Sequence, residues 1–309
     1  MCPRAPGRSA VFAEGRAAGR SGRCTGRATG LVGLLLAASL LVAACAPAAP
    51  PTGSGTTRTL TVRRDGDDRI AVVHDPGTVR PGALLVVVLH GAGGAGADMH
   101  ANLGWDALAD RSGFVVAYPD GLDHTWNAGA CCGRARDRRV DDVGFLDALV
   151  AAVHDADGTG PVFAVGFSNG AMMTYAWACA RPGALAGIGP VAGALVVDCP
   201  APAPLTVVAV HGTRDERVPI DGGRGPSGVV FPSLDASLAP FRAAAACPTA
   251  TPAVAPPAHL DARTCADGRR VVSDVVDGLP HTWPGAGPHA GTTDGPLDAT
   301  GFLWARLHG

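Results

Sequence analysis

The chain contains no lysine; all 25 of its basic residues are arginine. With the excess of alanine and glycine, this reads as a coding bias toward GC-rich codons and not as a nucleic-acid surface. Six arginines and one acid, Glu14, precede Cys45, which leaves 19 arginines against 26 acids and a formal charge of −7 beyond it. A polyanionic partner such as nucleic acid is therefore not expected. A long apolar run is also missing. The most apolar segment, Leu31 to Ala44, is 14 residues, too short to span a bilayer comfortably. There is no internal repeat, and no pair of Cys or His residues stands at zinc-ligand spacing from Cys131 and Cys132. No metal or organic cofactor is called for. What remains is long enough for one α/β domain with a large core.

The most informative stretch is Gly166-Phe167-Ser168-Asn169-Gly170. It follows the apolar run Pro161 to Val165 and precedes the apolar-rich segment Ala171 to Ala178. A G-x-S-x-G alone is weak evidence among 43 glycines. In this context it predicts a buried strand, a tight turn and a helix, with Ser168 exposed at the turn as a nucleophile. The N–H of Asn169, at the start of that helix, would face developing negative charge.

Three further segments complete a catalytic set. Ala83 to Val88 is a continuous apolar run that suits a strand buried on both faces, and Leu89-His90-Gly91-Ala92-Gly93-Gly94 follows it. Such a loop supplies a second oxyanion donor, expected to be the N–H of Ala92, with Gly93 as the alternative; one donor is worth roughly 3–4 kcal/mol of barrier. Asp215 follows the strand pattern Leu205 to Val210 and lies between the serine and the histidine candidates; Glu216 beside it is the alternative acid. His281 follows the strand pattern Arg270 to Val276, unlike His259, His289 and His308, which also come after the acid. The order Ser168, Asp215, His281 predicts acyl transfer, with His281 as general base and Asp215 fixing its tautomer. His90 and His211 precede glycine at strand ends and read as loop-shaping residues.

With these residues in place, the chain resembles the bacterial esterases that include poly(3-hydroxybutyrate) depolymerases and feruloyl or acetylxylan esterases. The resemblance rests on Leu89-His90-Gly91, Tyr118-Pro119-Asp120-Gly121, Trp126-Asn127 leading to Cys131-Cys132-Gly133, Val140 to Phe145, Gly166 to Gly170, His211-Gly212-Thr213 with Asp215, and His281 to Gly285. It implies an α/β-hydrolase fold, a mostly parallel sheet covered by helices on both faces. It implies a monomeric serine esterase whose substrates are soluble esters of hydroxybutyrate oligomers or feruloyl or acetyl esters of polysaccharide. Trp126 and Trp283 are candidates for stacking on substrate, with ordinary packing an equal alternative for each. The chain departs from the family at Leu279-Pro280, where glycines are common before the catalytic histidine, and proline stiffens the loop. No long apolar lid of a fat-hydrolysing lipase is visible. A silent binding lipoprotein on the same fold is the alternative from another class, and a peptidase is a third reading.

The N-terminus reads as an export signal, residues 1–44, with Arg16, Arg20, Arg23 and Arg27 before the apolar stretch. Leu41-Val42-Ala43-Ala44-Cys45 resembles a lipoprotein cleavage box, which predicts a lipid on Cys45 and membrane attachment through that anchor alone; ordinary secretion is the alternative. Residues 45–56 have the composition of a tether, and residues 57–309 form the catalytic domain. Export permits disulfides. The family resemblance and nearness in sequence imply Cys179–Cys199 and Cys247–Cys265, leaving Cys131 and Cys132 as a vicinal disulfide or two thiols. Arg134 to Arg139 reads as a solvated loop, or as a surface meeting an acidic sugar. Further expectations are a hairpin turning at Asp65-Gly66 and one helix around Met99 to Arg111. A helix over Asp142 to His154 capped by Asp141 or Asp142, a helix over Ser233 to Ala246, and a last helix over Ala299 to Leu307 complete the reading.

Overall fold

A computed structural model describes residues 55–226, 228–248, 259–287 and 297–309. The expected export signal, Cys45 and most of the expected tether lie outside the described residues. In chain order the elements are β1 (Thr56–Arg64), β2 (Asp67–Asp75), β3 (Leu85–Leu89), α1 (Gly96–Asn102), α2 (Trp105–Ser112), β4 (Val115–Pro119), α3 (Gly133–Asp137) and α4 (Asp142–Asp157). They continue with β5 (Val162–Phe167), α5 (Asn169–Ala180), β6 (Gly187–Val191), β7 (Thr206–Gly212), the short ribbon β8 (Gly223–Arg224) and β9 (Val230–Phe231), α6 (Leu234–Ala244), β10 (His259–Thr264), β11 (Arg270–Val276) and α7 (Ala299–Leu307).

Nine strands form one sheet in the order β1-β2-β4-β3-β5-β6-β7-β11-β10. The pairings from β4 across to β11 are parallel, and antiparallel strands close both edges. The central strands have no polar face. Along β3, Leu85, Val87 and Leu89 enter the core beneath α4, α5 and α6, while Val86 and Val88 enter the core beneath α2 and α7. The same alternation runs through β4, β5 and β7, the period-two signature of a sheet buried on both sides. The chain leaves β3 for β4 on one side and later returns to β5 on the other. That reversal opens a crevice at the carboxyl ends of β3 and β5, the usual place for a ligand in an open α/β sheet.

The expected hairpin forms, with Asp65 and Gly66 both at positive φ (52° and 89°) in the two-residue turn, the geometry that matches strand twist. The expected single helix near Met99 is two helices. Gly104 breaks it with φ 72°. Part of the Arg134–Arg139 loop is the helix α3. Asp141, not Asp142, caps α4 by accepting from the Gly144 N–H at 2.9 Å. Strands β6 and β10 escape a reading by pattern. The β6 sequence Gly187-Ile188-Gly189-Pro190-Val191 looks like a loop. Its glycine at 189 is needed for packing, since a Cβ there would lie 2.8 Å from Val165 Cγ1. Among the described residues no helix is long and apolar enough to cross a membrane.

Cys179 pairs with Cys199 and Cys247 with Cys265, as the resemblance implied, and Cys131 pairs with Cys132. The first bond ties the end of α5 to the loop after β6. The chain-entropy model gives each of the two long-range bridges about 3 kcal/mol. Replacing Cys179 and Cys199 together by alanine should lower the unfolding free energy by that amount, read from urea denaturation of the oxidised protein.

Candidate active site

Phe167 ends β5 and Asn169 begins α5, so Ser168 must reverse the chain alone. It does so at φ 55°, ψ −116°, a conformation unfavourable for a residue with a side chain and worth about 1–3 kcal/mol of strain. The surroundings hold it there. A Cβ at Gly166 would lie 2.5 Å from the Gly170 carbonyl carbon, and one at Gly170 would lie 2.6 Å from the His90 carbonyl oxygen. Both glycines are therefore sites of backbone contact. The Ser168 N–H donates to the Val191 carbonyl at 2.9 Å. Its side chain remains partly exposed at the end of the sheet.

The loops after β7 and β11 bring the other two residues to it. His281 Nε2 lies 2.8 Å from Ser168 Oγ, and His281 Nδ1 lies 2.7 Å from Asp215 Oδ2. With a neutral imidazole, Nδ1–H donates to the carboxylate and Nε2 accepts from the hydroxyl. Asp215 is buried; Oδ1 accepts from the backbone N–H groups of Arg217 (2.9 Å) and Val218 (2.8 Å). Burial pushes its acidity the other way, but hydrogen bonds from His211, His281 and the Val218 N–H outweigh it, and the carboxyl sits well below the usual carboxylate range. The acid therefore stays ionised beside the imidazole. Glu216 is exposed and points into the neighbouring cleft. The tilted Phe167 ring lies 4.9 Å from the His281 ring and backs it.

The two expected oxyanion donors flank Ser168. Asn169 is the first residue of α5, where a helix leaves its N–H without an internal acceptor. The Gly91 loop presses on the elbow, because a Cβ at Gly91 would lie 3.3 Å from Ser168 Cβ. Within that loop the Gly93 N–H donates to the His124 carbonyl at 2.8 Å, while the Ala92 N–H has no acceptor among the described residues. Of the two candidates, Ala92 is thus the one whose N–H is available.

Trp126 and Trp283 do not face the site. Trp126 is completely buried; its Nε1–H donates to the His90 carbonyl at 3.0 Å. Its backbone N–H and C=O are both paired with the Asn169 side-chain amide, at 2.7 and 3.0 Å. Trp283 is 5% exposed and donates to Thr300 Oγ1. Both rings are packing groups, and stacking on substrate is ruled out for Trp126 by its burial. The lock between Asn169 and Trp126 is a feature that pattern reading missed. Asn169→Ala would leave the buried Trp126 N–H unpaired, while its carbonyl would keep the N–H groups of Ala128 and Cys132. The expected cost is about 1–3 kcal/mol of stability, measured by urea unfolding with tryptophan fluorescence as the signal.

His90 shapes the loop. Its Nδ1–H donates to the Gly91 carbonyl at 2.7 Å, and Nε2 accepts from the Gly121 N–H at 2.9 Å. Burial lowers its pKa below the usual 6.5. The folded chain therefore binds fewer protons than the unfolded chain as pH falls below 6.5, and stability is lost on acidification through that window. The urea midpoint should fall between pH 7 and pH 5, and it should fall less steeply in His90→Asn.

A cleft of about 430 Å³ adjoins His281, lined also by Arg214, Glu216, Arg217, Gly278 and Pro280. A larger cavity of about 650 Å³ lies at the opposite end of the strands, between the starts of β3 and β4 and the end of α7. The smaller one is the relevant one, because His281, which contacts Ser168 and Asp215, lines it. The Arg134–Arg139 cluster is a paired surface: Arg134 and Arg138 face Asp123, and Arg136 faces Asp137.

No model of a protein family matches the chain. "Putative esterase NocK" of Nocardia uniformis subsp. tsuyamanensis is 34% identical over 269 residues, covering 76% of each chain. "Feruloyl esterase C" of Emericella nidulans is 33% identical over 123 residues, 39% of this chain and 42% of that one. Among solved structures, the acetyl xylan esterase from Aspergillus awamori superposes with a TM-score of 0.54 at 17% identity, covering 73% of this chain and 94% of that one. The chain belongs to the esterase family of the Nocardia protein and is a carboxylic ester hydrolase with the α/β-hydrolase fold.

Proposed function

We propose that the protein is an exported serine esterase that works through an acyl-enzyme on Ser168. The observation that carries this reading is the unbroken hydrogen-bonded line from Asp215 through His281 to Ser168 at the carboxyl end of the parallel sheet. Ser168 Oγ attacks the ester carbonyl carbon as His281 Nε2 takes the hydroxyl proton. The N–H groups of Asn169 and Ala92 receive the negative charge that builds on the carbonyl oxygen. The bond from that carbon to the alcohol oxygen breaks, and His281 returns the proton to the alcohol. Water then repeats the sequence on the acyl-enzyme, delivering the carboxylic acid and free Ser168. Asp215 stays ionised throughout and stabilises the imidazolium.

The substrates of this reading are hydroxybutyrate oligomers and feruloyl or acetyl esters of polysaccharide. The relatives named feruloyl esterase and bifunctional acetylxylan esterase/xylanase support the latter two. Paired cysteines support export to an oxidising compartment. Residues 1–44 are the leader, Cys45 carries the lipid, residues 45–56 are the tether and residues 57–309 are the catalytic domain. Several acyl chains on one cysteine, at about 0.8 kcal/mol per buried CH₂, would hold the enzyme at a membrane surface.

Methyl ferulate, an acetylated xylo-oligosaccharide and a 3-hydroxybutyrate oligomer, offered side by side, test the reading. At least one should be turned over, with kcat lower by roughly 10⁴-fold or more in Ser168→Ala. Turnover of equal rate in the folded variant would remove Ser168 from the mechanism.

A further inference from the structure

Among the described residues the arginines are mostly occupied. Arg58, Arg64, Arg69, Arg181, Arg242 and Arg263 each hold an aspartate, and Arg270 holds backbone carbonyls. Among the described residues Arg80, Arg111, Arg139, Arg214 and Arg217 are not occupied, and of these five Arg214 and Arg217 adjoin the candidate active site. Both are exposed, and neither side chain has an ion pair or hydrogen bond among the described residues. Both line the cleft that ends at His281. Their backbones are fixed. The Arg214 N–H donates to the Leu279 carbonyl at 3.0 Å, and the Arg217 N–H donates to Asp215. The acid in the same lining is Glu216, so the wall carries two positive charges against one negative. This stands out in a molecule with an excess of acids beyond Cys45.

The mechanism says which half of the ester meets this wall. His281 returns its proton to the departing alcohol oxygen, so the alcohol lies against His281 and the acyl group lies against Ser168 and the oxyanion donors. A cleft bounded by His281 and Pro280 therefore receives the alcohol. We propose that the preferred substrates are esters whose alcohol component carries a free carboxylate, that is, esters formed on the hydroxyl of a hydroxy acid. Arg214 and Arg217 receive that carboxylate as specificity residues, and Glu216 repels it. Planar guanidinium groups suit a carboxylate through paired N–H donors. The inference rests on the serine-esterase reading above and narrows its substrate class.

The test uses two esters that share a scissile acetyl bond, 3-acetoxybutyrate (anionic) and 3-acetoxybutyramide (neutral), with acetate release as the readout on the full-length protein. The readout is the ratio of their kcat/KM values, so any loss common to both cancels. The native protein should favour the anion by about two- to fivefold, the scale of one exposed ion pair. The ratio should fall close to one in Arg214→Gln/Arg217→Gln, rise in Glu216→Gln, and shrink in about 1 M salt, where the screening length is about 3 Å. A native ratio at or below one, or a ratio that the double variant leaves unchanged, overturns the proposal. Hydrolysis of the neutral ester that persists in Ser168→Ala would overturn the reading of Ser168 as the nucleophile, which the ratio alone does not touch.

Discussion

The backbone contact between the β5–α5 turn and the end of β3 governs the rest of the site. Gly170 packs directly on the His90 carbonyl and Gly166 on the Gly170 carbonyl. This contact leaves no room for side chains, so the chain must turn within one residue, and that residue is the strained Ser168. The same contact sets the Gly91 loop against the serine, since Gly91 lies within a methyl group's reach of it. Strain of a few kcal/mol at one residue is offset by a core that buries both faces of five central strands.

Around that turn, polar groups are arranged in two tiers. In the proposed reaction, those that would meet the reacting atoms are Ser168, His281 and the N–H groups of Asn169 and Ala92. Behind them, Asp215 is held ionised by hydrogen bonds that outweigh its burial. Asn169 joins the tiers. Its N–H faces the site while its side-chain amide clamps Trp126, and Trp126 in turn reaches the His90 carbonyl. Beneath this, the Arg69–Asp142 ion pair at 2.8 Å lies almost wholly out of solvent, with the guanidinium over the Phe145 ring. Removing one member would strand the other charge. The loop that carries Trp126 is thus fixed from both ends, which explains how a stretch with little regular structure backs a catalytic turn.

Much of this was legible in the sequence because the signals were local. An apolar run, a G-x-S-x-G and an apolar helix define the elbow without knowledge of the rest, and the positions of Asp215 and His281 follow from strand patterns before them. The failures have physical causes. The strand β6 was hidden because close packing against Val165 demands glycine where pattern reading expects a branched side chain. The helix near Met99 was read as continuous because its apolar spacing carries across Gly104, where the backbone turns left-handed. Stacking and packing stay equal alternatives for Trp126 in the sequence because an aromatic beside an active-site motif does not reveal which way it points. Arg214 and Arg217 were visible as residues, but their lack of partners is a three-dimensional property.

The central claim is that the crowded turn forces Ser168 into the reactive position. Labelling by a fluorophosphonate, located by peptide mass spectrometry, tests it most directly when the native protein and Gly170→Ala are compared at equal folded concentration. The account predicts rapid labelling confined to Ser168 in the native protein and labelling slower by at least about tenfold in the variant, because an added methyl must push the turn away from the His90 carbonyl. Equal labelling rates in the two folded proteins, or a label on any other serine, would contradict it.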